Sequence, residues 1–301
     1  LLKFEFSSFI DYLKNVNKNP DFSNDLRGKL DYTNFELEIS HLNSIEEKFE
    51  ECRNKIKEVD IYNEKDVKKL ENLNSLFFSM EFNGLCDTLN DILSKISRLK
   101  KIKLFQVIAN NIRRTGEPYN ENVQTKHINV FNIAKCTNRI IKGLKVTKAN
   151  QEYVENRIII DSLRNSFEIM YFKERFSAFY MFAVHKNEED RKSDMRDIYE
   201  SDIELAYNID EAEYKGKRGR FYMQDVGNCI QKSDVFLEFI NNEETIYISR
   251  VKSQLLKFVS LILQPGLITP TPQERCMQIA YTAKYNSGCI SRQVGAVITD
   301  E

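Results

Sequence analysis

The segment that most constrains this chain is its last part, residues 269–301, which reads TPTPQERCMQIAYTAKYNSGCISRQVGAVITDE. Thr271 can cap a helix, the proline after it suits the first helical position, and Glu274 completes a capping box. The sequence NSG at 286–288 then ends the helix. The apolar run VGAVI at 294–298 is typical of a strand that is buried on both faces. The sequence therefore predicts a helix, a polar turn and a buried strand, in that order.

The composition limits the class of partner. Lys and Arg total 44 against 45 for Asp and Glu, so the chain lacks the positive excess of a DNA-binding protein. The six cysteines are scattered, which is typical of reduced thiols in the cytoplasm. No apolar run approaches the roughly 20 residues that span a bilayer. We therefore expect a cytoplasmic protein with a small-molecule partner, and with neither DNA nor a membrane as partner.

Apolar periodicity divides the rest of the chain into helices and a few strands. Helical spacing of leucine, isoleucine and phenylalanine runs through residues 37–97 and again through 243–264. Short apolar runs that are typical of strands lie at 157–161, 178–184 and 234–237. Strands that alternate with helices predict a mostly parallel, doubly wound α/β sheet. Residues 37–97 do not follow this alternation, and we interpret them as a helical insertion.

A cluster of prolines marks the clearest domain boundary, because three of the five prolines fall between residues 265 and 272. We therefore expect a first domain over residues 1–242, a connecting helix over 243–264 and the start of a second domain over 265–301. The chain begins with Leu1 and stops at the end of a predicted strand. These two features lead us to expect a piece of a longer protein.

Four residues of the first domain are candidates for contact with a nucleotide. Asp161 ends an apolar run at the expected carboxyl edge of a parallel sheet, where α/β proteins bind ligands. Its carboxylate could hold magnesium with a nucleotide, or it could cap a strand-to-helix turn. A phosphate or a base could be bound by Arg113, Arg114 and Arg164. However, an arginine at a helix end is often a solvated charge that interacts favourably with the helix dipole. Both interpretations stay open for each of the four.

Two segments resemble parts of one known family. The sequence SGCISRQVGAVI at 287–298 is similar to the first strand region of zinc-dependent cytidine and deoxycytidylate deaminases, and most resembles the two-domain antiphage dCTP deaminases. The sequence IDSLRNSFEIMYFKERFSAFY at 160–180 resembles the P-loop nucleotide-kinase-like domain that precedes the deaminase in that family. Arg191, Arg196, Arg218 and Arg220 are similar to the lid arginines of nucleotide kinases.

The resemblance implies both a fold and an activity. The fold would be an incomplete, doubly wound P-loop kinase-like domain, followed by the first helix and strand of a cytidine-deaminase-like domain. The activity would be zinc-dependent hydrolysis of dCTP or dCMP to a deoxyuridine nucleotide, which depletes dCTP in defence against phage. The family lines its substrate pocket at positions that correspond here to Arg292, Gln293, Val294 and Ala296. The alternative to a substrate contact is that these four residues belong to a segment that leads into a strand and exposes its polar residues.

The sequence motifs that carry the family's chemistry do not occur in this chain. An H-x-E segment, a P-C-x-x-C segment and the phosphate-binding G-x-x-x-x-G-K-[ST] loop are all missing from these residues. We interpret Cys276 and Cys289 as structural and assign no chemistry to His41, His127 or His185. We therefore expect no catalytic or metal-binding residue in this chain, zinc ligands beyond Glu301, and no activity of the chain alone.

Two other function classes stay open. The chain could be a regulatory and oligomerisation module, to which the helical insertion contributes, and which has no activity of its own. It could also be an active nucleotide kinase, although the missing phosphate loop opposes this. We expect a homo-oligomer in either the deaminase or the regulatory case, and an inhibitor RNA or protein could be a further partner.

Overall fold

The computed structural model describes residues 6–18, 40–57, 67–96, 98–119, 124–149, 157–199, 203–216, 220–239, 244–289 and 293–300. Most of these residues are helical, and a small two-stranded sheet makes the architecture mixed α/β. The chain divides into two compact units. The first comprises Leu1–Ala183 and Glu188–Phe236, and the second comprises Val184–Asn187 and Leu237–Glu301.

The first unit begins with helices that contribute side chains to a shared apolar core. They are α1 (Phe6–Lys18), α2 (Glu46–Lys57), α3 (Val67–Phe77) and α4 (Met80–Ile96), and residues 40–44 add a further helical turn. Phe9, Ile10 and Leu13 of α1 lie on one helical face and are buried. They share a core with Phe49 and with Leu89, among others. The predicted helical character of residues 37–97 is thus confirmed over the part that the structure describes.

A second group of helices surrounds an aromatic core. It comprises α5 (Arg98–Arg114), a 3-10 turn (His127–Phe131), α6 (Asn132–Ala149) and α7 (Ser166–Arg175). Phe172 of α7 is fully buried and stacks on Phe179 with ring centroids 5.5 Å apart. Tyr171, on the same helix, contacts Phe131 at 5.8 Å. The contact between Tyr171 and Phe131 therefore places α7 against the 3-10 turn that follows α5.

The sheet consists of two parallel strands, β1 (Phe182–Lys186) and β2 (Val235–Phe239). The helices α8 (Glu188–Tyr199), α9 (Ile203–Lys215) and α10 (Val226–Gln231) lie between them in the chain. The backbone N–H of Asp234 donates to the carbonyl of Met181 at 2.8 Å, and the Asp234 carboxylate accepts from Met181 N–H at 2.8 Å. Lys173 of α7 donates to the same carboxylate at 2.7 Å. One aspartate thus aligns the starts of both strands.

The observed sheet is smaller than the doubly wound sheet that the sequence predicts. Residues 157–161 form no strand, and the side chain of Ile159 is 96% exposed. The prediction of a strand there was wrong because a strand forms only beside a hydrogen-bonded neighbour. No described segment supplies such a neighbour to residues 157–161. The mixed α/β class is observed, while the kinase-like fold stays a prediction.

The second unit contains α11 (Glu244–Leu263) and α12 (Pro272–Ala283), with a short 3-10 turn (Lys284–Asn286) after α12. The predicted capping box is confirmed. The hydroxyl of Thr271 accepts from the Glu274 N–H at 3.2 Å, and the Glu274 carboxylate accepts from the Thr271 N–H at 2.8 Å. Lys257 of α11 donates to the same carboxylate. The helix therefore begins where the sequence predicts it.

The tail after α12 differs from the prediction. Residues 293–300 form no strand, and Val294 and Ile298 are 83% and 97% exposed. The prediction of a strand buried on both faces was therefore wrong for the chain as described. An apolar run is buried only where other elements cover it, and no described strand pairs with this one.

Candidate functional site

A network of hydrogen bonds surrounds the first turn of α7. Asn165 caps this helix, because its side-chain oxygen accepts from the N–H of Phe167 at 3.0 Å. The side-chain amide of the same residue donates to the carbonyls of Phe221 and Met223 at 3.0 and 2.7 Å. Asn165 is fully buried. One side chain therefore both starts α7 and holds the segment 220–225 against it.

Asp225 completes this connection from the other side. Its carboxylate accepts from the N–H of Ser166 at 2.8 Å and from the Ser166 hydroxyl at 2.6 Å. Its own N–H donates to the carbonyl of Arg164 at 3.0 Å. A carboxylate at the start of a helix is also stabilised by the helix dipole. The segment 220–225 is consequently fixed at two points.

The thiol of Cys229 lies next to Asp225 of this network and is buried. Burial, together with the charge of Asp225, raises its pKa to about 12. The sulfur lies 3.7 Å from the Asp225 carboxylate. A thiol in this state is not a nucleophile at neutral pH, so Cys229 has a structural role.

Arg113 forms the most buried ion pair of this region. Its Nε donates to the carboxylate of Glu168 at 2.8 Å, and the exposed fractions of the two side chains are 5% and 2%. Its guanidinium also approaches the side-chain oxygen of Asn110 at 3.3 Å and the carbonyl of Tyr222 at 3.5 Å. The Arg113 side chain, which the sequence predicted to contact a nucleotide, is therefore buried in this structure. Its ion pair joins α5 to α7.

Arg164 is likewise engaged by a carboxylate. Its guanidinium donates to Glu213 of α9 at 2.7 Å, and Gln106 of α5 donates to the same carboxylate oxygen. The Asp161 carboxylate, by contrast, is exposed and accepts from the hydroxyl of Ser162 at 2.9 Å. The structure therefore brings Arg113 and Arg164 close to the segments around α7, but joins Asp161 to neither by a hydrogen bond. Their predicted contact with a nucleotide stays a prediction.

Arg114, the fourth candidate, lies beside a group of rings that the sequence did not indicate. Its guanidinium carbon is 5.7 Å from the centroid of the Tyr222 ring, within the range of a cation–π contact. Phe221, the neighbour of Tyr222, packs against the exposed ring of His127 with centroids 4.7 Å apart. We call the rings of His127, Phe221 and Tyr222 the aromatic platform. It was missed because the 3-10 turn and the segment 220–225 lie far apart in the chain.

Two further cations flank the aromatic platform. The N–H of Lys126 donates to the carbonyl of Arg114 at 2.9 Å, which places Lys126 next to that arginine. Arg220 directly precedes Phe221, and both Lys126 and Arg220 are exposed. Of these two cations, the sequence singled out only Arg220, as one of the arginines similar to the lid arginines of nucleotide kinases. Arg218 lies outside the described residues.

The predicted substrate contacts lie in the tail of the second unit. The side-chain amide of Gln293 donates to the carbonyl of Ser287 at 3.1 Å, which closes the turn after α12. Val294 and Ala296 are exposed, and Arg292 lies outside the described residues. The structure therefore does not gather these four residues into a pocket within its described part, and their role stays a prediction.

Gly295 brings the tail against α12. A Cβ at this position would lie 1.9 Å from the carbonyl oxygen of Ala280 and 2.6 Å from the backbone nitrogen of Lys284. Any other residue would force the backbone apart. Close packing on the helix therefore explains the glycine of the VGAVI run.

Metal-ligating side chains do not cluster in the described part of the chain, where no group of three or more His, Cys, Asp or Glu side chains could hold a metal ion. The two cysteines of the second unit, Cys276 and Cys289, are free thiols. Across the same part of the chain, every helix is too short or too polar to cross a membrane.

Comparison with known proteins finds no relative of this chain. No protein-family model, curated protein or solved structure matches this chain.

Proposed function

We propose that this chain is part of a zinc-dependent deaminase that converts dCTP or dCMP to the corresponding deoxyuridine nucleotide. The observation that carries the proposal is the resemblance of residues 287–298 to the first strand region of that family. Two local features support it. The capping box starts α12 at the predicted residue Thr271, and Gly295 packs the following segment against α12. Depletion of dCTP in the cytoplasm would then be the means of defence against phage.

The residues proposed for the substrate are Arg292, Gln293, Val294 and Ala296, which would line one side of the pocket for the base. The described residues do not supply zinc ligands. In this proposal, the metal and the groups that move protons would be held by other parts of the longer protein. In the first unit, Asp161, Arg113, Arg114 and Arg164 are proposed to contact a regulatory nucleotide, with magnesium at Asp161.

The experiment is an assay of the longer gene product that the proposal requires. Purified protein is incubated with dCTP or dCMP, and release of ammonia and of the deoxyuridine nucleotide is followed. We expect turnover that is abolished by a zinc chelator and restored by zinc. The 301-residue chain serves as the control and should be inactive. A longer product that lacks an H-x-E and a P-C-x-x-C segment, or turnover by the control chain, would contradict the proposal.

A second candidate function is a regulatory and oligomerisation module. The observation that favours it is the number of exposed apolar side chains in the second unit. Leu256 and Leu263 of α11 are 69% and 53% exposed, and Met277 of α12 is 70% exposed. Exposed apolar side chains of this size often mark a protein interface. Light scattering of the chain and of Leu256→Glu would test it, and a monomer in both cases would exclude it.

A further inference from the structure

We propose that the aromatic platform and its three flanking cations, Arg114, Lys126 and Arg220, form a binding site for a nucleoside triphosphate. The base would stack on His127, and the phosphates would contact the cations. This inference goes beyond the regulatory nucleotide contacts proposed above, because it uses only Arg114 of those four residues. It does not rest on deaminase activity, because every residue involved lies in the first unit.

The platform offers an exposed ring that is supported by a second ring. The His127 ring is exposed and lies against Phe221 at a centroid distance of 4.7 Å with an interplanar angle of 36°. Phe221 is in turn supported by Phe167 at 6.5 Å, and Phe167 contacts Phe131 at 6.4 Å. A ring that is held from below in this way can receive a base above, because every base has a stacking face.

The cations beside the platform are disposed differently from those deeper in the fold. Arg113 and Arg164 form ion pairs with Glu168 and Glu213. Lys126 and Arg220, by contrast, are exposed and form no ion pair with any described residue. Charged side chains of this kind bind phosphate through charge-assisted hydrogen bonds.

Two carboxylates of the neighbouring segments are engaged elsewhere. Glu168 is engaged by Arg113, and Asp225 accepts from the N–H and hydroxyl of Ser166. The exposed charges of Lys126 and Arg220 therefore face solvent beside the rings. A planar ligand that carries several negative charges fits this combination best.

The platform is also fixed before any ligand binds. Asn165 holds the carbonyls of Phe221 and Met223, and Arg113 approaches the carbonyl of Tyr222 at 3.5 Å. The backbone that carries two of the three rings is thus tied to the buried start of α7. Preorganisation of this kind lowers the entropy that binding must overcome.

The test is a calorimetric titration of the 301-residue chain with ATP, with dCTP and with inorganic tripolyphosphate. We expect saturable binding of both nucleotides, and weaker binding of tripolyphosphate, which has no base. Lys126→Glu and Arg220→Glu should each weaken all three ligands by about tenfold or more. His127→Ala should weaken the nucleotides by about tenfold and leave tripolyphosphate unchanged.

Lys95→Glu on α4 is the matched control, because Lys95 is also an exposed lysine and lies on a helix that carries none of the platform residues. It should leave all three affinities unchanged. Since Lys126, His127 and Arg220 are exposed, the thermal midpoints of the variants should stay close to that of the parent chain. Absence of saturable nucleotide binding, or equal losses in the control, would overturn the proposal.

A third arm separates a free nucleotide from a nucleic-acid strand. A single-stranded RNA of mixed sequence is titrated under the same conditions. RNA binding more than tenfold tighter than nucleotide binding, with losses in the same variants, would overturn the assignment to a free nucleotide. A failed deaminase assay would leave these binding results untouched, so the two proposals can fail separately.

Discussion

Arg113 and Glu168 are 55 positions apart in the chain, yet they form an ion pair of 2.8 Å in which both side chains are almost fully buried. The pair joins the end of α5 to the first turn of α7. Removal of one partner would leave the other charge buried without compensation. Such an uncompensated charge is much more destabilising than the loss of an exposed pair.

The first prediction follows from this pair. Glu168→Ala should lower the free energy of unfolding by about 3 to 5 kcal/mol, because the Arg113 guanidinium stays buried. Urea denaturation of the purified chain measures it. The double variant Arg113→Met with Glu168→Leu should recover most of the loss, since it removes both charges together.

The control is Glu188→Gln, which removes a carboxylate from the exposed pair with Lys192. It should change the urea midpoint very little, because exposed pairs contribute little to stability. A midpoint for Glu168→Ala equal to that of Glu188→Gln would show that the buried pair is not a stability determinant.

The second prediction concerns the close approach of the tail to α12. Gly295→Ala should push residues 293–297 away from the helix, because the new Cβ would lie 1.9 Å from the carbonyl oxygen of Ala280. Faster amide exchange and faster proteolysis in this segment measure the change. Gly288→Ala is the matched control, because a Cβ there meets nothing within 4 Å. Equal exchange rates in both variants would contradict the packing.

The third prediction is a pH dependence of α12. Hydrogen bonds from Lys257 and from the Thr271 backbone lower the pKa of Glu274 below its ordinary value of 4.5. A carboxyl whose pKa is lower in the folded state stabilises that state above its unfolded pKa, and the contribution is lost as the pH falls through the folded pKa. We therefore expect α12 to lose helicity below about pH 4.5. An NMR titration of Glu274 measures the pKa, and Lys257→Ala should move it upward.

The fourth prediction concerns thiol reactivity. Burial, with the charge of Asp225, raises the pKa of Cys229 to about 12. A group whose pKa is raised on folding stabilises the folded state below its unfolded pKa, and this contribution is lost as the pH rises through the folded value. Stability should therefore fall between the ordinary thiol pKa of 9.0 and about 12, and Cys229→Ala should reduce this fall.

A disulfide reagent at pH 8 checks the same point more simply. Cys136 and Cys289 are exposed and should react within minutes, whereas Cys229 should react only when the chain unfolds. Mass spectrometry of the labelled peptides identifies the modified thiols. Rapid labelling of Cys229 in the native chain would contradict its assigned burial.

The helices were largely predictable from the sequence. The apolar spacing of α4 and α11 and the capping box of α12 are local patterns, and each of them forms a helix in the folded chain. The strands expected at 157–161 and 294–298, by contrast, do not form in the folded chain. An apolar run becomes a strand only when a partner lies beside it, and the pattern carries no information about that partner.

The candidate site was predictable only in part. The sequence singled out Arg113, Arg114 and Arg164 by residue type, but not the partners that decide what each of them does. Glu168 and Glu213 are distant in the chain from the arginines that they bind. His127 has no local signal, because its significance arises from its contact with Phe221.

The dual role of Asn165 has a consequence for motion. The same amide side chain that starts α7 also holds the carbonyls of Phe221 and Met223. Opening of the first turn of α7 therefore releases the segment 220–225, and release of that segment uncaps the helix. The two regions should fluctuate as one cooperative unit, although more than fifty positions separate them in the chain.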